Sequence, residues 1–315
     1  MALRVVFFGT PGFAVPTLER LIQSRHPVAG VVTQPDRPRG RGQHVSAGPV
    51  KALAASLDLP VFQPDKLSRE MFEAALASLS ADIGEVAAYG KILPDWLLAT
   101  VPRGLINVHA SLLPRYRGAS PVHRAVINGD PETGVTIMRV VKALDAGPML
   151  AAVTVPIGPD DTTTMVEAVL AAEGADLLVK TLDAIEAGTA VETPQDDSLA
   201  TYAPKLSKSE AMVDWSRPAQ NIHNQIRGLW PWPHASTHLG SARYILHRSR
   251  VSSRDHEAQP GTIIRASAVD GVHVACGAST ALELLDVQLE GKRVVSAREL
   301  LASKGLEPGM RFSTP

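Results

Sequence analysis

Residues 3–13 read LRVVFFGTPGF, an apolar run that stops at a tight glycine-rich turn. The run predicts a buried parallel strand over Leu3–Phe8, and helical spacing of apolar residues predicts a helix over Phe13–Ser24. Strands and helices keep alternating along the first half of the chain, with further predicted elements at Val28–Val32, Pro49–Leu57, Ser68–Leu79, Ile83–Ala88, Pro94–Thr100 and Leu105–Val108. This order is typical of an α/β domain with a doubly wound, Rossmann-like parallel sheet.

The pattern changes in the middle of the chain. Two strands, Thr133–Val141 and Met149–Ile157, are predicted on either side of a sharp turn, and a long helix is predicted over Thr162–Glu186. Residues 189–208 are polar and aperiodic, which is typical of a linker. We therefore predict a first domain of residues 1–188 and a second domain of residues 209–315.

The second domain has the pattern of a small β-barrel. A helix is predicted over Pro218–Gly228 and a terminal helix over Ala297–Ser303. Between them lie five short runs with turn signals, and each predicts a strand: Ala235–Leu239, Arg243–Val251, Gly261–Arg265, Val272–Cys276 and Ala281–Leu289.

The composition excludes several classes of protein. Of 315 residues, 45% are apolar and 20% are charged, unlike a disordered chain. Cys276 is the only cysteine, which excludes a disulfide framework and a cysteine-based zinc site. The start is unlike a signal peptide and no run has the length of a membrane span, so we expect a cytoplasmic protein without a membrane partner.

Charge is distributed unevenly along the chain. Residues 1–204 carry 17 Lys+Arg against 22 Asp+Glu, whereas residues 205–315 carry 14 against 10. A basic C-terminal part favours a polyanionic partner, and chance surface variation is an equally good explanation of the difference.

The first turn, Gly9-Thr10-Pro11-Gly12, occupies the place of a dinucleotide-binding fingerprint but lacks its GxGxxG spacing. The second strand ends in Thr33-Gln34-Pro35, without the acidic residue that would bind a ribose. Both features argue against an NAD-dependent oxidoreductase.

Asn107 and His109 are the first candidates for chemistry. They alternate with Ile106 and Val108, so on a strand their side chains lie on one face, near the end where open α/β sheets bind ligands. An amide and an imidazole together can stabilise an oxyanion, and the imidazole can transfer protons. Asp145, in an Asp-Ala-Gly turn, is either an ordinary turn residue or the partner that orients the imidazole.

The segment between residues 34 and 51 contains three arginines interleaved with glycine and proline: Arg37, Arg39 and Arg41. Such a loop suits phosphate contact, and the alternative is a solvated connector.

Tyr89 and Gly90 end a predicted strand and are candidates for a pocket wall. Trp230-Pro231-Trp232-Pro233 offers aromatics for stacking on a ligand or for packing at a domain junction.

These pieces together resemble the folate-dependent formyltransferases. That family has an Asn-x-His pair on one strand and a downstream Asp near a glycine, which correspond to Asn107, His109 and Asp145. The segment NVHASLLPRYRG, residues 107–118, is highly specific. Further similar stretches cover nearly the whole chain: FFGTPGFA, RPRGRG, AYGKILP, LDAGPML, SKSEAMVDW and GLWPWPHA.

The resemblance is closest to the branch of the family that acts on methionyl initiator tRNA. It implies transfer of the formyl group of 10-formyltetrahydrofolate to the α-amino group of methionine, for translation initiation, without a metal. Asn107 and protonated His109 would hold the tetrahedral oxyanion. Asp145 would keep His109 charged and support proton transfer to the folate nitrogen.

The resemblance also implies an oligonucleotide-binding (OB)-type barrel as the second domain, which would bind tRNA, and a monomeric protein. Its folate-binding positions correspond to Ser111, Leu112, Leu113, Pro114, Tyr89 and Gly90. Its tRNA-binding loop corresponds to residues 34–48, with Arg37, Arg39 and Arg41.

Two departures from the family pattern stand out. Gln43 and His44 replace lysines that are common in the family, which would place more of the tRNA affinity on the arginines. Glu85 occupies a strand position that is usually apolar, so it either points into the site or marks an irregular strand. Rival interpretations are a formyltransferase for a sugar-nucleotide amine and a tRNA-binding protein with a degenerate site.

Overall fold

The computed structural model describes residues 1–39, 44–304 and 306–313. The chain forms two compact units whose segments alternate along the sequence. The first unit contains Met1–Gly118, Thr133–Pro156 and Glu167–Ala203, and the second contains Ala119–Glu132, Ile157–Val166 and Pro204–Pro315. This division differs from a single boundary near residue 188, because two segments of the predicted first domain fold with the second unit.

The first unit is built on a mixed sheet. Its strands are β1 (Val5–Gly9), β2 (Val28–Val32), β3 (Arg37–Arg39), β4 (His44–Ser46), β5 (Val61–Phe62), β6 (Ile83–Ala87), β7 (Leu105–His109), β8 (Arg117–Gly118), β9 (Glu132–Arg139), β10 (Met149–Pro156) and β11 (Tyr202–Ala203). Seven of these described strands form one sheet in the order β10-β9-β7-β6-β1-β2-β5. The part from β5 to β7 is parallel, as predicted, whereas β9 runs antiparallel to β7.

The helices follow the predicted pattern closely. They are α1 (Val15–Ile22), α2 (Pro49–Ser56), α3 (Arg69–Ser78), α4 (Asp95–Thr100), α5 (Pro121–Asn128), α6 (Thr163–Ala187), α7 (Ala219–Gly228) and α8 (Ala297–Lys304). Helix α5 is absent from the predicted elements, although Pro121 at its first turn and left-handed Gly129 after its end are typical helix boundaries. No helix in the described ranges combines the length and apolar character needed to cross a membrane.

The two faces of β7 have different surroundings. A Cβ added to Gly174 of α6 would lie 2.9 Å from Cγ1 of Val108, so α6 covers the face that Val108 shares with Ile106. Leu105 belongs to an apolar cluster on the opposite face. Because side chains alternate along a strand, Asn107 and His109 lie on that opposite face, away from α6.

The second unit contains an antiparallel sheet, as the predicted barrel requires. Its strands are β12 (Ala235–Leu239), β13 (Ala242–Ser252), β14 (Ile263–Ser267), β15 (Gly271–Ala275), β16 (Ala281–Leu289) and β17 (Val294–Ser296). They follow the order β12-β13-β16-β15-β14, with β17 beside β16. Fully buried Trp215 stacks on Phe312 in the core and donates its Nε1–H to Thr237 Oγ1 at 2.9 Å.

The structure differs from the predicted linker over residues 189–208. Thr193 exchanges two backbone hydrogen bonds with Met149, each 2.8 Å long. A 3-10 turn follows at Asp197–Leu199, and β11 pairs in parallel with β8. The first part of this polar segment therefore belongs to the first unit, because its backbone groups find partners there.

Candidate active site

The site is centred on the carboxyl end of β7. Asn107 lies opposite Met138 of β9, and His109 lies opposite Thr136. Asn107 is half-buried, whereas His109 is only 5% exposed. The expectation that Asn107 and His109 share one face of a strand end agrees with this register.

Both ring nitrogens of His109 face oxygen atoms. Nε2 lies 3.0 Å from the carbonyl oxygen of Tyr116. Because a carbonyl only accepts, Nε2 carries a hydrogen and donates it. Nδ1 lies 3.8 Å from Oδ2 of Asp145, an ion-pair distance rather than a direct hydrogen bond. The imidazole is thus anchored at Nε2 by the backbone, and its Nδ1 edge faces the Asp145 carboxylate.

Asp145 lies beside His109, a proximity that sequence spacing did not reveal. Its backbone is left-handed, with φ of 48°, a conformation that Asp tolerates better than most residues. Oδ2 accepts a hydrogen bond of 2.8 Å from the backbone N–H of Gly118. Asp145 is therefore both a turn residue and a neighbour of the imidazole, and the two interpretations of its role do not exclude each other.

Gly147 fixes the position of the same turn. A Cβ on Gly147 would lie 1.9 Å from the carbonyl oxygen of Arg139, at the end of β9. The backbone N–H of Arg139 in turn donates to the carbonyl of Pro148 at 2.9 Å. The turn thus lies directly against β9, next to the strand that carries Asn107 and His109.

Two further residues hold the site together and were missed in the sequence. Thr136 Oγ1 donates to the carbonyl of Ser111 at 2.7 Å and accepts from the N–H of Leu113 at 3.1 Å. Gln195 donates to the carbonyls of Asp145 and Gly147, both at 2.8 Å. Thr136 lies within a predicted strand, and Gln195 lies in a predicted linker. Neither position carries a sequence pattern that indicates function.

The candidate folate segment, residues 111–114, follows β7 directly. Ser111 is buried and its Oγ donates to the carbonyl of Arg115 at 2.6 Å, which closes a turn. Leu113 is buried, and Leu112 and Pro114 are partly exposed. The exposed groups of this segment that a ligand can contact are therefore the side chains of Leu112 and Pro114.

Tyr89 and Gly90 end up in different surroundings. The ring of Tyr89 packs in the core edge-on to Phe8, and burial raises the pKa of its hydroxyl to about 12. Its carbonyl accepts hydrogen bonds from Thr10 Oγ1 at 3.2 Å and Gln34 Nε2 at 2.8 Å. Gly90 is exposed with φ of 79°. A ligand can reach the backbone at Gly90, but not the ring of Tyr89.

The arginine-rich loop forms a hairpin at its base. β3 and β4 pair antiparallel, with Arg37 opposite Ser46 and Arg39 opposite His44. Arg37 is exposed. Arg41 and Gln43 lie outside the described residues, so the prediction that Arg41 contacts tRNA has no structural counterpart here.

Glu85 lies away from the candidate site. It pairs in regular register with Phe7 of β1 and Ile106 of β7, so it points to the face that α6 covers. Both carboxyl oxygens are buried without a hydrogen-bond partner among the described residues, and burial raises its pKa well above the ordinary value. Glu85 therefore neither points into the candidate site nor marks an irregular strand, because β6 is regular and the side chain faces the core.

The second unit carries the Trp-Pro motif and a groove. Trp230 packs edge-on against His234, with 5.0 Å between ring centroids, while Trp232 is 46% exposed. The groove, of about 530 Å³, has three arginines and two carboxylates in its lining: Arg250, Arg254, Arg298, Asp270 and Glu283. Within the described ranges, no cluster of three or more His, Cys, Asp or Glu side chains has the geometry to hold a metal ion.

Both parts of the chain match known protein families. The sequence model of formyl transferases matches residues 3–182, and that of the formyl transferase C-terminal domain matches residues 205–305. A methionyl-tRNA formyltransferase from Solibacter usitatus is 46% identical over 297 residues, 94% of either chain. One from Methylococcus capsulatus is 46% identical over 99% of this chain and 100% of its own length.

A solved structure shares the fold at low sequence identity. The N-formyltransferase from Helicobacter canadensis, in complex with folinic acid and dTDP-3-aminofucose, has a TM-score of 0.69 and 16% identity. The match covers 90% of this chain and 98% of that one.

Proposed function

The chain belongs to the formyl transferase family, and we propose that it transfers the formyl group of 10-formyltetrahydrofolate to methionine on initiator tRNA. The acceptor is the α-amino group of methionine, and the reaction serves translation initiation. The near full-length identity to methionyl-tRNA formyltransferases supports this choice of substrates. The observation that carries the chemistry is the convergence of Asn107, His109 and Asp145 at the end of β7.

The reaction begins when the amine attacks the formyl carbon. A C–N bond forms and the carbonyl becomes a tetrahedral oxyanion, which the Asn107 amide and the Nδ1 edge of His109 stabilise. Collapse of the intermediate breaks the bond between this carbon and the folate N10. The amine loses one proton and N10 gains one, and Asp145 supports this transfer by keeping His109 charged.

The folate donor is a substrate and not a resident cofactor. We place it against Ser111, Leu112, Leu113 and Pro114 and against the backbone at Tyr89 and Gly90. The exposed backbone at Gly90 and the partly exposed side chains of Leu112 and Pro114 support this placement. Buried Ser111 and Leu113 hold the segment in place.

The tRNA is placed on the two basic regions of the chain. Arg37, Arg39 and Arg41 contact the acceptor end from the hairpin loop. Residues 209–315 act as the tRNA-binding domain, in which Arg250, Arg254 and Arg298 line the groove. Residues 1–188 act as the catalytic domain, a division supported by family matches at 3–182 and 205–305. The protein functions as a cytoplasmic monomer.

The deciding experiment compares two amines as formyl acceptors. Purified protein and 10-formyltetrahydrofolate are incubated with methionyl initiator tRNA or with a nucleotide-linked amino sugar. Formylation of the tRNA alone is expected, and turnover only of the sugar would overturn the proposed function. Tight tRNA binding without any turnover would instead indicate a binding protein.

His109→Ala tests the chemistry within the same assay. We expect kcat to fall at least about a hundredfold, the usual effect of losing an acid–base or oxyanion group. The affinity for the folate donor should be largely kept. Near-normal turnover would remove His109 from the mechanism.

A further inference from the structure

Gln195 connects two parts of the candidate site through one amide. Its Nε2 donates to the carbonyls of Asp145 and Gly147, both at 2.8 Å. Its Oε1 accepts from Nε and Nη2 of Arg117, at 3.0 and 2.8 Å. Arg117 immediately precedes Gly118, whose N–H donates to the carboxylate of Asp145. The amide therefore holds the Asp145 turn and the β8 segment in one arrangement.

The chemistry of these partners requires a glutamine. Both carbonyls only accept hydrogen bonds and the guanidinium only donates, so the amide orientation is unambiguous. Glutamate in place of Gln195 would keep the contact with Arg117 but would bring its negative charge to the two carbonyls. Alanine would lose all four hydrogen bonds.

The backbone around Gln195 supports the same segment. The N–H of Arg117 donates to the carbonyl of Thr201 at 2.9 Å, and Thr201 Oγ1 accepts from the N–H of Tyr116 at 2.9 Å. Tyr116 supplies the carbonyl that binds Nε2 of His109. Thr201 thus supports His109 through Tyr116, and Gln195 supports the Asp145 turn directly.

We propose that Gln195 is a positioning residue, which fixes the Asp145 turn at its distance from His109 so that Asp145 can support proton transfer. The proposal rests on the proposed function for its effect on turnover. The arrangement itself does not depend on the identity of the substrate.

The kinetic test compares Gln195→Ala and Gln195→Glu with Asp197→Ala. Asp197 is the matched control, because its largely exposed carboxylate contacts Nη2 of the same Arg117 at 2.7 Å without touching the turn. Both Gln195 variants should lower kcat about ten- to a hundredfold, with KM for donor and tRNA within about twofold of wild type. Asp197→Ala should remain near wild type.

A double-variant measurement separates positioning from general weakening of the fold. If Gln195 acts through Asp145, adding Gln195→Ala to Asp145→Asn should lower kcat less than about twofold further. The proposal would be overturned if Gln195→Ala lowered kcat as much in the Asp145→Asn background as it does in wild type. Wild-type kcat in both single Gln195 variants would also overturn it.

Hydrogen exchange tests the arrangement without any turnover. The N–H of Gly118 donates to Asp145, so its exchange should accelerate about tenfold or more in Gln195→Ala and stay unchanged in Asp197→Ala. Unchanged protection in both would overturn the positioning role. Failure of wild-type protein to formylate methionyl-tRNA would overturn the proposed function alone, because the exchange result still decides the role of Gln195.

Discussion

Glu85 is a carboxylic acid in the middle of the sheet, and its contribution to stability depends on pH. Burial raises its folded-state pKa well above the ordinary value of 4.5. The folded protein therefore keeps a proton that the unfolded chain has already released between these two pKa values. The stability from this proton is complete below about pH 4.5 and is lost as the pH rises toward the folded-state pKa.

Glu85→Gln should remove this pH dependence. The unfolding free energy of the variant relative to wild type should increase between pH 5 and 7, by up to about 1.4 kcal/mol per pH unit. Urea unfolding at a series of pH values measures it. Glu70→Gln, at an exposed helix position, is the control and should leave the wild-type slope intact. Parallel stability curves for Glu85→Gln and wild type would show that Glu85 is ionised in the fold.

At the scale of single residues, local sequence rules predicted two of the five residues that meet at the candidate site. Asn107 and His109 could be placed on one face because period two along a strand is a local rule. Asp145, Thr136 and Gln195 could not be joined to them, since their proximity depends on how strands and turns pack across the fold. Family resemblance supplied Asp145, and only the structure supplied Thr136 and Gln195.

Among the secondary-structure elements, the turn between β9 and β10 has the tightest constraint at the site. Gly147 lies so close to Arg139 that any side chain must displace either the turn or the end of β9. Since Asp145 lies on the same turn, a small displacement changes its distance to His109.

Gly147→Ala should therefore lower kcat at least about tenfold, a loss typical of a misplaced catalytic group. The melting temperature should also fall by several degrees. Gly12→Ala is the stability control, because a Cβ there meets no atom within 4 Å. Steady-state kinetics and thermal unfolding of both variants measure the effects, and wild-type kcat in Gly147→Ala would show that the turn tolerates movement.

Elements with a consistent apolar pattern over about five or more residues were mostly predictable, whereas strands of two residues were not. The apolar strands β1, β2 and β6 and the helix α6 were found because each carries several turns or residues of consistent pattern. β8 and β11 have two residues each, too few for any period, and they pair only because the polar segment after α6 returns to the first unit. α5 carried its boundary signals, but its eight residues fell between two stronger patterns.

For the whole molecule, the charge distribution determines how the proposed tRNA complex responds to salt. Residues 1–204 have a formal charge of −5 and residues 205–315 of +4, from 17 against 22 and 14 against 10 charged side chains. The whole chain has a formal charge of only −1, so attraction of a polyanion depends on the basic second part and on local groups of arginines.

Arg37→Ala should weaken tRNA binding and reduce the slope of log K against log salt by about 1, the value for one phosphate contact. KM for the folate donor should not change. Arg20→Ala is the control, since Arg20 pairs on the surface with Asp176 and has no proposed tRNA contact. Titrations at several salt concentrations measure the slopes, and equal slopes for Arg37→Ala and wild type would make the hairpin a simple connector.

The alternation of segments between the two compact units has a consequence for synthesis on the ribosome. Ile127 of α5 packs against the core of the second unit. Gly228 of α7 lies directly against Ile127. About 90 residues separate α5 from α7. At a synthesis rate of roughly 5–20 residues per second, α7 therefore emerges several seconds after α5. During that interval the apolar face of α5, formed by Val122, Ala125 and Val126, has no partner to cover it, and the nascent chain is open to premature contacts there.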